Sequence, residues 1–152
     1  MRLFSITPLS QQSSARCIGE LVRQCAQGDI DMDPPYQRGR CWDIRQQEML
    51  IDTISWGLPI PALILRELPI PVTGKGPLYE MVDGKQRLTA LVSYVAGVFP
   101  YRGTFYQQEP VPTQRHFRQI PIAVVQVSDA TDDEVRELYR RINFCGVPHE
   151  KS

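Results

Sequence analysis

The chain's 152 residues suffice for one domain with a buried core, and 42% hydrophobic against 22% charged residues is ordinary for a globular protein. Lys plus Arg equals Asp plus Glu, 17 each, which excludes a protein that coats nucleic acid by bulk charge but leaves room for a local basic pocket. No run approaches the ~20 apolar residues of a membrane span.

The start, Met1-Arg2-Leu3-Phe4, has no apolar signal-peptide core. The four cysteines, Cys17, Cys25, Cys41 and Cys145, form no CxxC and no zinc spacing with His116 or His149. A cytoplasmic protein with reduced thiols and no membrane partner is expected.

In chain order, Leu3–Ile6 reads as a short strand closed by Pro8. A polar Gln-Gln-Ser-Ser segment follows, with Ser14 as the expected N-cap of a helix over 16–27. In that helix Ile18, Leu21, Val22 and Cys25 recur at helical spacing, and Gly28 closes it. Pro34-Pro35 makes 33–41 an extended loop. Asp43 is the expected N-cap of the next helix, with Trp42, Met49, Leu50 and Ile54 on its buried face and Gly57 at its end.

Pro59-Ile60-Pro61 is a rigid connector. Ala62–Leu68 and Leu78–Val82 read as strands around a Pro/Gly loop. Asp83-Gly84 is turn chemistry, and Gln86–Ala96 reads as a helix. Residues 97–112, rich in Gly, Pro and aromatics, predict a small hairpin or ordered loop. Residues 113–118 predict a helical turn or two, and Ile120–Val127 a strongly apolar strand. Ser128 or Thr131 caps a last helix to about Asn143, with Asp132, Asp133 and Glu134 in its first turn, where acids belong. The sum is a single α+β domain: a mixed sheet of about four or five strands packed with helices.

Three polar clusters stand out. In the first, Val82-Asp83-Gly84-Lys85-Gln86-Arg87-Leu88-Thr89, strand, glycine turn and helix start would present free backbone N–H groups to an anion. Lys85 and Arg87 sit where the helix dipole favours acids instead. A segment that carries cations there is a candidate phosphate cradle; the alternative is a surface turn with two solvated cations. Asp83 could hold Mg²⁺ through water, orient a nucleophilic water, or cap the helix. The second cluster, Pro35-Tyr36-Gln37-Arg38-Gly39-Arg40-Cys41-Trp42, packs forked cations among aromatics. The third, Arg140-Arg141-Ile142-Asn143, is also explained by the dipole at a helix C-terminus.

Together these segments resemble the N-terminal domain of GmrSD-type, modification-dependent restriction enzymes, in the ParB/sulfiredoxin-like superfamily. Its marks are a Pro-x-x-Gln-Arg-x-x-x-Trp loop, an Asp-Gly-Gln-Gln-Arg-Leu-Thr turn and an Arg-x-Asn near a helix end. Here they read Pro34-Pro35-Tyr36-Gln37-Arg38 with Trp42, Asp83-Gly84-Lys85-Gln86-Arg87-Leu88-Thr89, and Arg141-Ile142-Asn143. Gly57-Leu58-Pro59-Ile60-Pro61 resembles the family's connector, and the likeness runs from 18 to 150.

The resemblance implies a ParB/sulfiredoxin-like fold and binding, often hydrolysis, of a nucleoside triphosphate (NTP) with Mg²⁺. In the relatives this activity regulates cleavage of foreign DNA. By residue, Asp83 and Gln86 would position the attacking water or the metal. Gly84, Lys85 and Arg87 would hold phosphates, Gln37 and Arg38 would close the pocket, and Arg141 and Asn143 would complete it. The family's first motif glutamine is Lys85 here, which adds charge for phosphate and puts any water-positioning role of that glutamine at risk.

Relatives usually continue into a helical region and an HNH-type nuclease domain. Residues 1–152 contain neither, so DNA cleavage is not expected of this chain alone, and a separate nuclease subunit or DNA would be its partner. Two alternatives accompany this reading. One is a non-enzymatic DNA- or protein-binding module, of phage or mobile-element origin, using Tyr101, Phe105 and Tyr106 to stack or anchor. The other is a ParB-like nuclease.

Overall fold

The computed structural model describes residues 8–37 and 41–145, with the backbone alone at 144–145. The expected strand at Leu3–Ile6 and residue Arg38 lie outside the described residues. The elements are β1 (Ser10–Cys17), α1 (Ile18–Ala26), β2 (Ile30–Asp31), α2 (Ile44–Ser55), β3 (Leu63–Glu67), β4 (Tyr79–Asp83), α3 (Lys85–Val95), α4 (Val111–Gln119), β5 (Pro121–Ser128) and α5 (Asp132–Cys145). The strands form one mixed sheet in the order β1-β5-β3-β4-β2. β1 and β5 are antiparallel, as are β3 and β4; β3–β5 and β2–β4 are parallel. The fold is α+β, as the sequence predicts.

Alternation along the central strands assigns the two faces. Leu63 and Leu65 of β3, Met81 of β4, and Ile122 and Val124 of β5 join one buried cluster. Ile18 and Leu21 of α1, Leu50, Ile51 and Ile54 of α2, and Leu88, Leu91 and Tyr94 of α3 complete it. Each such side chain contributes roughly 1.5–3 kcal/mol by leaving water. Val82, Val127 and Val135 are buried outside this cluster. There α5 is tied to the sheet by Arg66, whose guanidinium meets Glu80 at 3.0 Å and Asp132 at 2.9 Å.

Two expectations are corrected. Ser14 does not cap a helix: it lies within β1, paired with Val124. The N-cap of α1 is Cys17, without a side-chain cap bond. On α2, Leu50 and Ile54 are buried as expected, but Met49 is not. Ile51 is buried, whereas Met49 is 63% exposed. The Asp43 cap is found as expected, in a reciprocal capping box with Gln46. At α5 it is Thr131 that plays this part, its Oγ1 accepting from the Glu134 N–H at 3.2 Å while the Glu134 carboxylate accepts from the Thr131 N–H at 2.9 Å.

The 97–110 loop is ordered by aromatic packing. Tyr94 lies 5.8 Å from Phe99, 5.6 Å from Tyr106 and 5.2 Å from Phe117, ring centre to ring centre. Tyr106 is buried, and the Tyr101 hydroxyl donates to Asp52 at 2.7 Å. Two of the three aromatics proposed for stacking on bases are therefore packing anchors, and Phe105 alone of them is exposed.

Candidate functional site

β4 ends at Asp83, and α3 begins two residues later. Ile64 pairs with Asp83 but Leu65 with Met81, so Val82 is an extra residue that bends β4 just before the turn. Gly84 is the N-cap of α3 at φ 108°, in the left-handed region. Its backbone sits against the core: a Cβ there would lie 2.4 Å from Leu63 Cδ2. The first helical bond runs from the Leu88 N–H to the Gly84 carbonyl at 2.9 Å. The N–H groups of Lys85, Gln86 and Arg87 precede it, and no side chain caps them. Asp83 stands outside the helix start and does not act as its cap, which removes one of the three roles open to it from sequence.

The side chains of the turn are held from several directions. Arg87 Nη2 donates to the Ala62 carbonyl at 3.0 Å and lies 3.5 Å from Asp83 Oδ2. The Asp83 side chain is about one third exposed and that of Arg87 about one sixth. Lys85 Nζ forms an ion pair with Asp33. Gln86 Oε1 accepts from the Trp42 N–H at 3.0 Å, and Gln47 Nε2 donates to the Trp42 carbonyl at 3.2 Å. Gln37 Nε2 donates to the carbonyls of Met81 at 3.0 Å and Val82 at 3.4 Å. β2 covers β4 only at Tyr79 and Glu80, so the Gln37 amide continues the pairing where that strand stops.

The 33–42 loop is thus joined to the turn by Asp33–Lys85, Gln37–β4 and Trp42–Gln86. Tyr36 adds a fourth tie, its hydroxyl donating to Glu80 at 3.0 Å. Burial, then the Glu80 carboxylate, pushes the Tyr36 phenol well above its ordinary range, so it remains a donor. Among the described residues, Gln86 Nε2, Arg87 Nε and Gln47 Oε1 are buried without a hydrogen-bond partner.

Of the residues singled out from sequence, Gln37, Asp83, Gly84, Lys85, Gln86 and Arg87 come together here. Arg141 and Asn143 stand on the last turns of α5 and are exposed. Arg141 Nε contacts Glu137 at 2.5 Å, and Asn143 Nδ2 donates to the Tyr139 carbonyl at 2.8 Å. These contacts lie within α5. The helix itself reaches the loop through Tyr139, whose ring centre is 5.5 Å from that of Tyr36.

Sequence reasoning missed three contributors: Asp33, Gln47, and a cleft beside the turn. The cleft, about 700 Å³, lies between α2 and the Pro59–Pro61 connector, with Trp42 and Arg87 in its wall. Only the connector's resemblance to a family segment pointed towards it. No group of three metal-ligating side chains occurs among the described residues, and no described helix is long and apolar enough to cross a membrane.

A bent strand end, a left-handed glycine and an uncapped helix start flanked by cations mark the β4–α3 turn of this α+β domain. The family model for the GmrSD restriction endonuclease N-terminal domain matches residues 18–152. The chain belongs to that family and is a restriction-related, phage-defence module. No curated protein and no solved structure matches it.

Proposed function

We propose that this domain binds an NTP with its phosphates on the α3 N-terminus and hydrolyses it, on a ParB/sulfiredoxin-like scaffold that serves restriction of foreign DNA. The observation that carries this reading is the uncapped start of α3, with Lys85 and Arg87 beside it. Three backbone donors and the positive end of the helix dipole face an anion there, and the two cations that oppose that dipole gain a partner when phosphate arrives. Asp33 now neutralises Lys85; in the bound state phosphate takes its place.

In hydrolysis a water attacks the terminal phosphorus, and the bond to the leaving diphosphate oxygen breaks. Asp83 accepts a hydrogen bond from that water. Gln86 acts with it by fixing Trp42, since its carbonyl oxygen already accepts from that peptide. A lone, partly exposed carboxylate fits Mg²⁺ that is held mainly by substrate phosphates, which neutralises their charge, rather than a resident metal. Gln37, which already bonds to the end of β4, would close the loop side, and the family likeness would add Arg38, Arg141 and Asn143 to the pocket. A separate nuclease subunit would read the nucleotide state.

The test is thermal unfolding with each of the four NTPs and Mg²⁺. At 100 times its dissociation constant a ligand stabilises by ~2.7 kcal/mol, or roughly 5–11 °C for a chain this size. Arg87→Ala should abolish the shift, and Asp83→Asn should keep it while phosphate release is lost. No shift with any NTP at millimolar concentration overturns the proposal.

A further inference from the structure

The cleft beside the turn has features that phosphate binding does not use. Its volume, about 700 Å³, is within the range of small-molecule sites. Beside polar residues of α2 and its cap, its wall carries the apolar groups Trp42, Met49, Pro59, Ile60 and Pro61 and one residue of the phosphate turn, Arg87. Met49 is held 63% exposed there although it is apolar. The wall is also fixed to the turn. Gln86 accepts from the Trp42 N–H and Gln47 donates to its carbonyl, so the Trp42 peptide is gripped on both sides.

We infer that this cleft receives the nucleobase of the NTP whose phosphates lie on the 84–87 turn. The inference rests on the phosphate reading and adds to it a second subsite. A heteroaromatic ring is flat and weakly hydrated on its faces, which suits contact with an indole, a thioether and proline rings. Arg87 is the bridge: its side chain borders the turn at Asp83 and the cleft at once. A ligand that spans the two must carry anionic and aromatic parts a few bonds apart, as a nucleotide does. The grip on Trp42 explains why a glutamine of the turn is committed to a residue 44 positions away: it sets the distance between the subsites.

The experiment compares inorganic tripolyphosphate with the four NTPs, each with Mg²⁺, by calorimetric titration of the wild-type chain and Met49→Ala. Alanine preserves the helix, and exposed Met49 is not part of the core. A Trp56→Phe variant, changed at a tryptophan outside the cleft lining, leaves Trp42 as the fluorescent reporter. At least one NTP should bind tenfold or more tightly than tripolyphosphate and quench Trp42 where tripolyphosphate does not. Met49→Ala should reduce that advantage at least threefold without altering tripolyphosphate affinity. If tripolyphosphate binds as tightly as every NTP, or if Met49→Ala leaves the advantage intact, the base subsite is wrong and the phosphate site stands. If neither ligand binds, both readings fall.

Discussion

Replacing Gly84 by alanine tests the close approach of the β4–α3 turn to Leu63 in the core. An alanine held at φ 108° costs about 1–2 kcal/mol through its Cβ and carbonyl contact. The same Cβ would sit 2.4 Å from Leu63 Cδ2 and 3.4 Å from Leu63 Cα. Leu63 is fully buried between β4 and β5, so neither partner moves freely, and overpacking adds about 1–3 kcal/mol. The sum is roughly 2–5 kcal/mol. Gly28→Ala is the control: φ is 78°, but nothing lies within 4 Å of its Cβ, so only the backbone strain of about 1–2 kcal/mol applies. Urea unfolding of both variants against wild type measures the difference. Gly84→Ala should be the less stable by about 1–3 kcal/mol. Equal destabilisation would refute the close approach of the turn to the core.

Asp43→Ala removes the side-chain half of the α2 capping box and should cost about 1 kcal/mol in the same assay. Thiol labelling followed by mass spectrometry should modify exposed Cys41 well before Cys25, whose thiol is pushed up to about 11 by burial. Glu137 is held down to about 2 by its hydrogen bonds to Arg140 and then Arg141. Because the folded-state value is depressed, its contribution is present above the ordinary carboxylate range and is lost as pH falls towards 2. An NMR titration of the Glu137 carboxyl should show this low midpoint, and a midpoint above 4 would contradict the Arg140/Arg141 pairing.

Most helices and the central strands were legible because each carries a one-sided apolar pattern or an apolar run between turn residues. β1 was not. Ser10-Gln11-Gln12-Ser13-Ser14 is polar throughout, and an edge strand exposed on both faces leaves no alternation to read. Its partner β5 holds the apolar residues of the pair. Met49 misled because apolar character alone does not fix helical phase, and the residue lines the cleft rather than the core. The turn at 83–87 was legible as local chemistry. The ties that organise it were not, since Gln86–Trp42 and Gln37–Met81 span 44 residues each, and no spacing rule anticipates a glutamine bonding to a distant peptide.

Phosphate binding by the first turn of α3 is read most directly from the backbone amides of Lys85, Gln86 and Arg87. In a ¹H–¹⁵N correlation spectrum of the labelled chain titrated with NTP and Mg²⁺, these three resonances should show the largest shifts, with those of Gly84 and Trp42 following. Saturating shifts confined to other residues, or none at millimolar nucleotide, would contradict phosphate binding at this turn.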